Sequence, residues 1–202
     1  MPSTIIIIRH GQTDYNRDRR LQGQLDIPLN DEGHKQAQEA ANKLKGKEVH
    51  IVYTSDLSRA ATTAKYIGEA CELAVTLEPA LRENDLGIFS GWQWEEERDE
   101  TKDALWQEYI ESRRGGDPHW KKHKGESIYE HTVRVTTFLK TLSDRHPNQA
   151  VVLITHGATI NRILEYYKLK ERKEEYRSHG NGSITILTKQ GNEYVILGGS
   201  DS

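Results

Sequence analysis

The apolar residues of this chain fall into short dense runs separated by amphipathic stretches. Ile5, Ile6, Ile7 and Ile8 are four consecutive β-branched residues, and Val151-Val152-Leu153-Ile154 and Ile51-Val52-Tyr53 resemble them. Continuous runs of this length predict strands buried on both faces of a parallel sheet. The segments between them carry helical spacing. Asn30-Asp31-Glu32 opens one that aligns Ala37, Ala40, Ala41 and Leu44 and stops near Gly46. Ser55 or Asp56 is positioned to cap a second, carrying Ala60, Ala64, Ile67 and Cys71. Ser127-x-x-Glu130 reads as a capping box ahead of Ile128, Val135, Phe138, Leu139 and Leu142, with Pro147 past the end. A fourth helix is expected after His156, with Ile160, Ile163 and Leu164 inward. Residues 183–188 and 194–197, joined by a polar five-residue turn containing Gly191, read as a hairpin.

Strands alternating with helices predict an α/β fold: a three-layer sandwich with a mostly parallel central sheet and an antiparallel edge hairpin. Residues from about 92 to 124 interrupt the alternation. They contain an acid-rich helical piece over 95–114, then Gly115-Gly116-Asp117-Pro118 and the basic run Lys121-Lys122-His123-Lys124. The segment is read as a helical insertion over the C-terminal ends of the strands, within one domain spanning 1–202.

Composition narrows the function. Hydrophobic residues make up 35% of the 202 and charged residues 29%, polar for a folded protein, yet the apolar residues are gathered rather than dispersed. A formal net charge of -3 is unsuited to a nucleic-acid partner, which requires a basic stripe. The run 5–8 is too short for a membrane span or a signal peptide. Cys71, the single cysteine, can form neither an internal disulfide nor a zinc knuckle and reads as a small buried hydrophobe. These features predict a cytoplasmic protein without a membrane partner. Four tryptophans against two phenylalanines is unusual, and Trp92, Trp94, Trp106 and Trp120 all lie in the interrupting segment.

Ligands in open parallel sheets bind outside the carboxyl ends of the strands. Three predicted strands end there in reactive residues: Arg9-His10-Gly11, Thr54-Ser55-Asp56 with Arg59 beyond, and Thr155-His156-Gly157. Arg9-His10-Gly11-Gln12-Thr13-Asp14-Tyr15-Asn16 resembles the signature of the histidine phosphatase superfamily, the phosphoglycerate mutase-like proteins. The resemblance continues in order through Leu21-Gln22-Gly23, Ser55-Asp56-Leu57-Ser58-Arg59, Leu81-Arg82-Glu83 with Gly87 and Gly91, Gly125-Glu126-Ser127 and Thr155-His156-Gly157. It covers nearly the whole chain.

The resemblance implies His10 as the nucleophile that forms a phosphohistidine, and Glu83 as the general acid. Both roles suit the chemistry. A neutral imidazole attacks a phosphomonoester dianion without charge repulsion, and a carboxylic acid protonates the leaving alkoxide, contributing roughly 10²–10⁴-fold. Arg9 and Arg59 present planar forks to phosphoryl oxygens, and His156, if cationic, would complete the cradle. Asn16, Gln22 and Gly23 are implied as further substrate contacts, with Thr13, Thr155 and Gly157 as candidates beside them. Asn181-Gly182-Ser183 also fits the family, as structure. Arg82 reads equally as a ligand and as a salt-bridge partner in the loop.

His119 and His123 are spaced as a helical zinc pair, but Pro118, the intervening lysines and the lack of a third ligand argue against a metal. No cofactor is expected. The basic run 121–124 reads as a solvated loop, with contact to a second anionic group of the substrate as the alternative. The expected partner is a small phosphorylated metabolite, acted on by a metal-independent phosphatase. The resemblance favours that branch because the acid loop from Glu83 to Gly91 is similar to it and because the chain ends soon after its last predicted strand. A cofactor-dependent phosphoglycerate mutase is the alternative, and a non-enzymatic phosphate-binding protein on the same scaffold is the second. The tryptophans read either as a small core that ties the insertion down or as a lid over the non-phosphate part of the substrate.

Overall fold

In the computed structural model, which describes residues 1–93, 97, 99–169 and 179–200, the isoleucine run lies inside a six-stranded sheet. The strands are β1 (Thr4–Arg9), β2 (Ile51–Thr54), β3 (Val75–Leu77), β4 (Ala150–Thr155), β5 (Ile184–Gln190) and β6 (Glu193–Ser200). Their order is β3-β2-β4-β1-β5-β6. β1, β2, β3 and β4 run parallel, and β5 and β6 add an antiparallel pair at one edge. The helices are α1 (Asp14–Arg17), α2 (Asp31–Leu44), α3 (Ser58–Cys71), α4 (Glu100–Arg113), α5 (Ile128–Arg145) and α6 (Gly157–Tyr166).

Side chains alternate across a strand, so the four isoleucines of β1 serve two cores. Ile5 and Ile7 join Val151 and Leu153 under α5 and α6, packed against Val135, Leu139, Leu142, Ile160 and Ile163. Ile6 and Ile8 join Val152 and Ile154 on the opposite face, against Ala40, Ala41 and Leu44 of α2 and Ala60, Ala64 and Ile67 of α3. Three layers result, and a continuous rather than alternating apolar pattern is what burial on both faces requires.

Two short elements carry no periodic signal. β3 has three residues, and its Leu77 is exposed, as suits a short edge strand. α1 is a single turn set by a capping box between Thr13 and Asn16. The cap of α3 also differs from expectation: Leu57 holds that position without a side-chain bond. Ser55 and Asp56 are engaged elsewhere, Ser55 with His156 and Asp56 with Arg82. Cys71 is partly buried against the second core.

Beyond the sheet lies a third apolar cluster of Leu86, Phe89, Trp92, Tyr109 and Ile128. Phe89 stacks on Trp92 at 5.6 Å between ring centroids and on His123 at 5.8 Å, and Trp120 stacks on His123 at 5.1 Å. The expected helical piece is realised as α4, capped by Asp99. Trp94, with 95, 96 and 98, lies outside the described residues. The basic run is solvated and paired, Lys121 with Glu130 and Lys122 with Glu108, while His123 is buried among the rings. Among the described residues no helix is long and apolar enough to cross a membrane.

Candidate active site

Register places three reactive strand ends together. Arg9 lies opposite Thr155 in the β1–β4 pair, and Thr54 lies opposite Ile154 in the β2–β4 pair. The chain leaving β1 then passes close to the start of α2: a Cβ on Gly11 would lie 2.3 Å from Gly33 O. Neither glycine could carry a side chain without moving the loop that holds His10.

His10 is buried, with its ring centroid 5.0 Å from that of His156. Its Nδ1 lies 2.7 Å from Gly11 O, a contact that requires the proton on Nδ1 and leaves the Nε2 lone pair as the nucleophilic one. Burial, reinforced by Arg59 and Arg9, holds the ring's pKa well below 6.5, so it is neutral at physiological pH.

Arg59 is fully buried. Its Nη1 donates to Leu25 O at 2.6 Å, Nη2 to Gly23 O at 2.8 Å and Nε to His156 Nδ1 at 3.3 Å. Burial lowers its pKa to about 10, which still leaves it charged at neutral pH. Since a guanidinium only donates, His156 Nδ1 must accept, and the ring's proton sits on Nε2, 2.9 Å from Ser55 Oγ. Burial, then Arg59, His10 and Arg9, depress the pKa of His156 further. His156 is therefore neutral here rather than cationic. It orients Arg59 from behind, and it does not line the cavity.

Glu83 stands on the loop after the 3-10 turn Pro79–Leu81. One carboxylate oxygen accepts from Ala158 N at 3.1 Å, in the first turn of α6, and the other from Asn84 N at 2.9 Å. The positive end of α6 thus holds the carboxylate in place. Arg9 donates to His179 O. Asn181 joins the ends of the site, its amide donating to His10 O at 3.1 Å and to Asn16 Oδ1 at 3.1 Å.

Arg9, His10, Asn16, Gln22, Gly23, Arg59 and Glu83 all line one cavity of about 330 Å³. Thr13 lies behind it, fully buried, with its hydroxyl 3.0 Å from Gln22 Oε1. Thr155 is directed away, to Leu81 O at 2.7 Å. Gly157 starts α6, and its neighbour Ala158 forms the wall. Arg82 is paired with Asp56 at 2.5 Å. The far wall is formed by Trp106, Ile110 and Arg113 of α4 with Arg20, Leu21, Asn84 and Leu86. The expected insertion over the strand ends, with its crowded tryptophans, pointed to the α4 part of it. Trp92 is buried in the third core, whereas Trp106 meets both that core and the cavity.

The description of the histidine phosphatase superfamily, branch 1, matches residues 5–201. The chain is 36% identical over 173 residues to phosphoglycerate mutase-like protein 4 of Arabidopsis thaliana, covering 85% of this chain and 74% of that one. It is 30% identical to the metal-independent phosphoserine phosphatase of the same plant, covering 98% and 81%. The structure of mycobacterial glucosyl-3-phosphoglycerate phosphatase with VO3 superposes with a TM-score of 0.82 at 30% identity, covering 96% of each chain. Arg9 and a neutral His10 at the end of β1, with Arg59 from the first turn of α3, face a carboxylate across one cavity and agree with these likenesses: the chain belongs to the histidine phosphatase superfamily, branch 1.

Proposed function

We propose that this protein is a metal-independent phosphomonoester hydrolase that works through a phosphohistidine on His10. The observation that carries the reading is the shared cavity, in which the Arg9 and Arg59 guanidiniums, the neutral His10 ring and the Glu83 carboxyl converge. His10 Nε2 attacks phosphorus, the N–P bond forms and the ester P–O bond breaks. Glu83, protonated, gives its proton to the departing oxygen. Its carboxylate then takes a proton from the water that attacks phosphorus, the N–P bond breaks, and inorganic phosphate leaves with His10 restored. Arg9 and Arg59 stabilise the phosphoryl oxygens throughout, where preorganised charge is worth a few kcal/mol per donor.

Substrate choice belongs to the far wall. Trp106, Ile110 and Leu86 offer apolar surface, and the guanidiniums of Arg113 and of Arg20, the latter paired with Glu97, line the same cavity. That combination suits a small phosphorylated metabolite bearing a carboxylate, in line with the phosphoserine and phosphoglycerate in the names of similar proteins. The testing experiment is phosphate release across a panel of phosphomonoesters, with His10→Ala as the control. Release by the wild type, abolished in the variant and insensitive to EDTA, supports the reading. Full turnover in His10→Ala would end it. The mutase reading rests on the first of these names. Interconversion of 3- and 2-phosphoglycerate exceeding phosphate release would establish it instead.

A further inference from the structure

A general acid acts only if its proton is held within hydrogen-bond reach of the leaving oxygen. Glu83 sits on irregular backbone, which has no helix or strand ladder to hold it. Every carbonyl from Ala80 to Glu83 is instead taken by a side chain. Thr155 Oγ1 donates to Leu81 O, Thr159 Oγ1 to Arg82 O at 2.8 Å, and Gln24 Nε2 to Glu83 O at 3.0 Å. Arg134 of α5 spans the whole run. Its Nη1 donates to Ala80 O at 2.8 Å and Arg82 O at 3.1 Å, and its Nη2 to Glu83 O at 3.3 Å.

The other two donors of Arg134 meet Glu126. Nε reaches Oε1 at 2.8 Å and Nη2 reaches Oε2 at 2.6 Å, so all five N–H groups of the guanidinium are engaged. Glu126 returns to the same loop: Asn84 Nδ2 donates to its carbonyl at 3.2 Å and to Oε2 at 3.3 Å, and Glu126 N donates to Asp85 O at 2.9 Å. The pair is largely shielded from water, at 23% and 14% side-chain exposure, and neither residue lines the cavity.

We propose that Arg134, oriented by Glu126, is the positioning residue for proton transfer by Glu83. The proposal rests on the reading of Glu83 as general acid. Arg134 grips the carbonyls on the N-terminal side of the acid, and Glu126 grips Asn84 and Asp85 on the other side. The carboxyl is thereby held on Ala158 N–H and Asn84 N–H while the phosphoryl cradle of Arg9, Arg59 and His10 is built from other segments. A planar five-donor fork is required, because a lysine ammonium has three donors on one atom and cannot span three carbonyls and a carboxylate.

The test compares kcat/KM for two substrates: an alkyl phosphomonoester that the protein hydrolyses, and p-nitrophenyl phosphate, whose nitrophenolate departs without protonation. Glu83→Gln is the reference and should lower the alkyl value far more than the aryl one. Arg134→Lys and Glu126→Gln should do likewise, by about 10–100-fold on the alkyl substrate, the cost of a displacement of about 1 Å. The aryl value and inhibition by orthovanadate should stay near wild type. Equal losses on both substrates, or none, would overturn the proposal, since a merely structural role weakens both alike. If Arg134→Lys does not fold, the nearly isosteric Glu126→Gln decides by the same comparison. If Glu83→Gln itself shows no dependence on the leaving group, the acid assignment falls and the proposal falls with it. If Glu83→Gln shows the dependence and the other variants do not, the role of Arg134 alone is refuted.

Discussion

Replacing Arg59 with lysine keeps a positive charge at the site and removes the planar fork. The guanidinium ties α3 to two other segments, bonding Gly23 O and Leu25 O of one loop and His156 Nδ1 from three different nitrogens. A single ammonium can reach at most part of that set. Leu25 O keeps the bond from Ile27 N, but Gly23 O has no other donor among the described residues. A buried carbonyl left without a donor costs about 1–3 kcal/mol, and a lost bond to a charged donor about as much again. Arg59→Lys should therefore lose about 2–6 kcal/mol of stability, which for a chain of this size lowers Tm by about 4–24 °C. Catalysis should fall separately, by about 10²–10³ in kcat/KM, because the fork no longer meets the phosphoryl oxygens in the transition state. Calorimetry and phosphate-release kinetics on the same preparation read the two effects. A variant that melts with the wild type and retains wild-type kcat/KM would refute the argument that geometry, not charge alone, makes this arginine necessary.

Stability should fall as the pH drops below about 6.5, because burial depresses the pKa of His10, His131 and His156. The sign follows from linkage: in that range the unfolded chain binds protons that the folded one refuses, so the stability present above 6.5 is lost on acidification, by up to about 1.4 kcal/mol per pH unit for each histidine. His131→Gln should flatten the dependence of Tm on pH between 7 and 5, and an unchanged slope would refute the assignment. Trp92→Ala should cost about 3–5 kcal/mol as a cavity in the third core, seen in urea unfolding. Trp106→Ala should instead raise KM more than it lowers kcat, since that ring faces the cavity as well as the core; steady-state kinetics on the best panel substrate separates the two.

The fold was legible where burial imposed a period. The continuous isoleucines of β1, the alanine face of α2 and the capping box of α5 each express one local rule, and the chain obeys it. β3 and α1 were not legible, because three edge residues, two of them exposed, and one capped turn are too short to carry a pattern. The cap of α3 was misread for a different reason. Ser55 and Asp56 have the right chemistry for capping, but His156 and Arg82, about 100 and 26 positions away, compete for them.

The same division runs through the site. Arg9, His10 and His156 announced themselves by residue type and place at the strand ends, and Arg59 and Glu83 by residue type and resemblance to a family. The charge of His156 did not, because it depends on the donor that Arg59 brings to its ring. Nor did Arg134, which lies eight residues from Glu126, outside the spacing at which a helix pairs charges, and far along the chain from the carbonyls it holds. Sequence alone determined the long elements and which side chains are candidates for the chemistry, because those follow from local periodicity and side-chain type. Only the tertiary structure decided which proton His10 and His156 carry, what wall faces Arg9, Arg59 and His10 across the cavity and which groups bond the loop of Glu83. Those properties are set by groups that meet only once the sheet has brought its strand ends together.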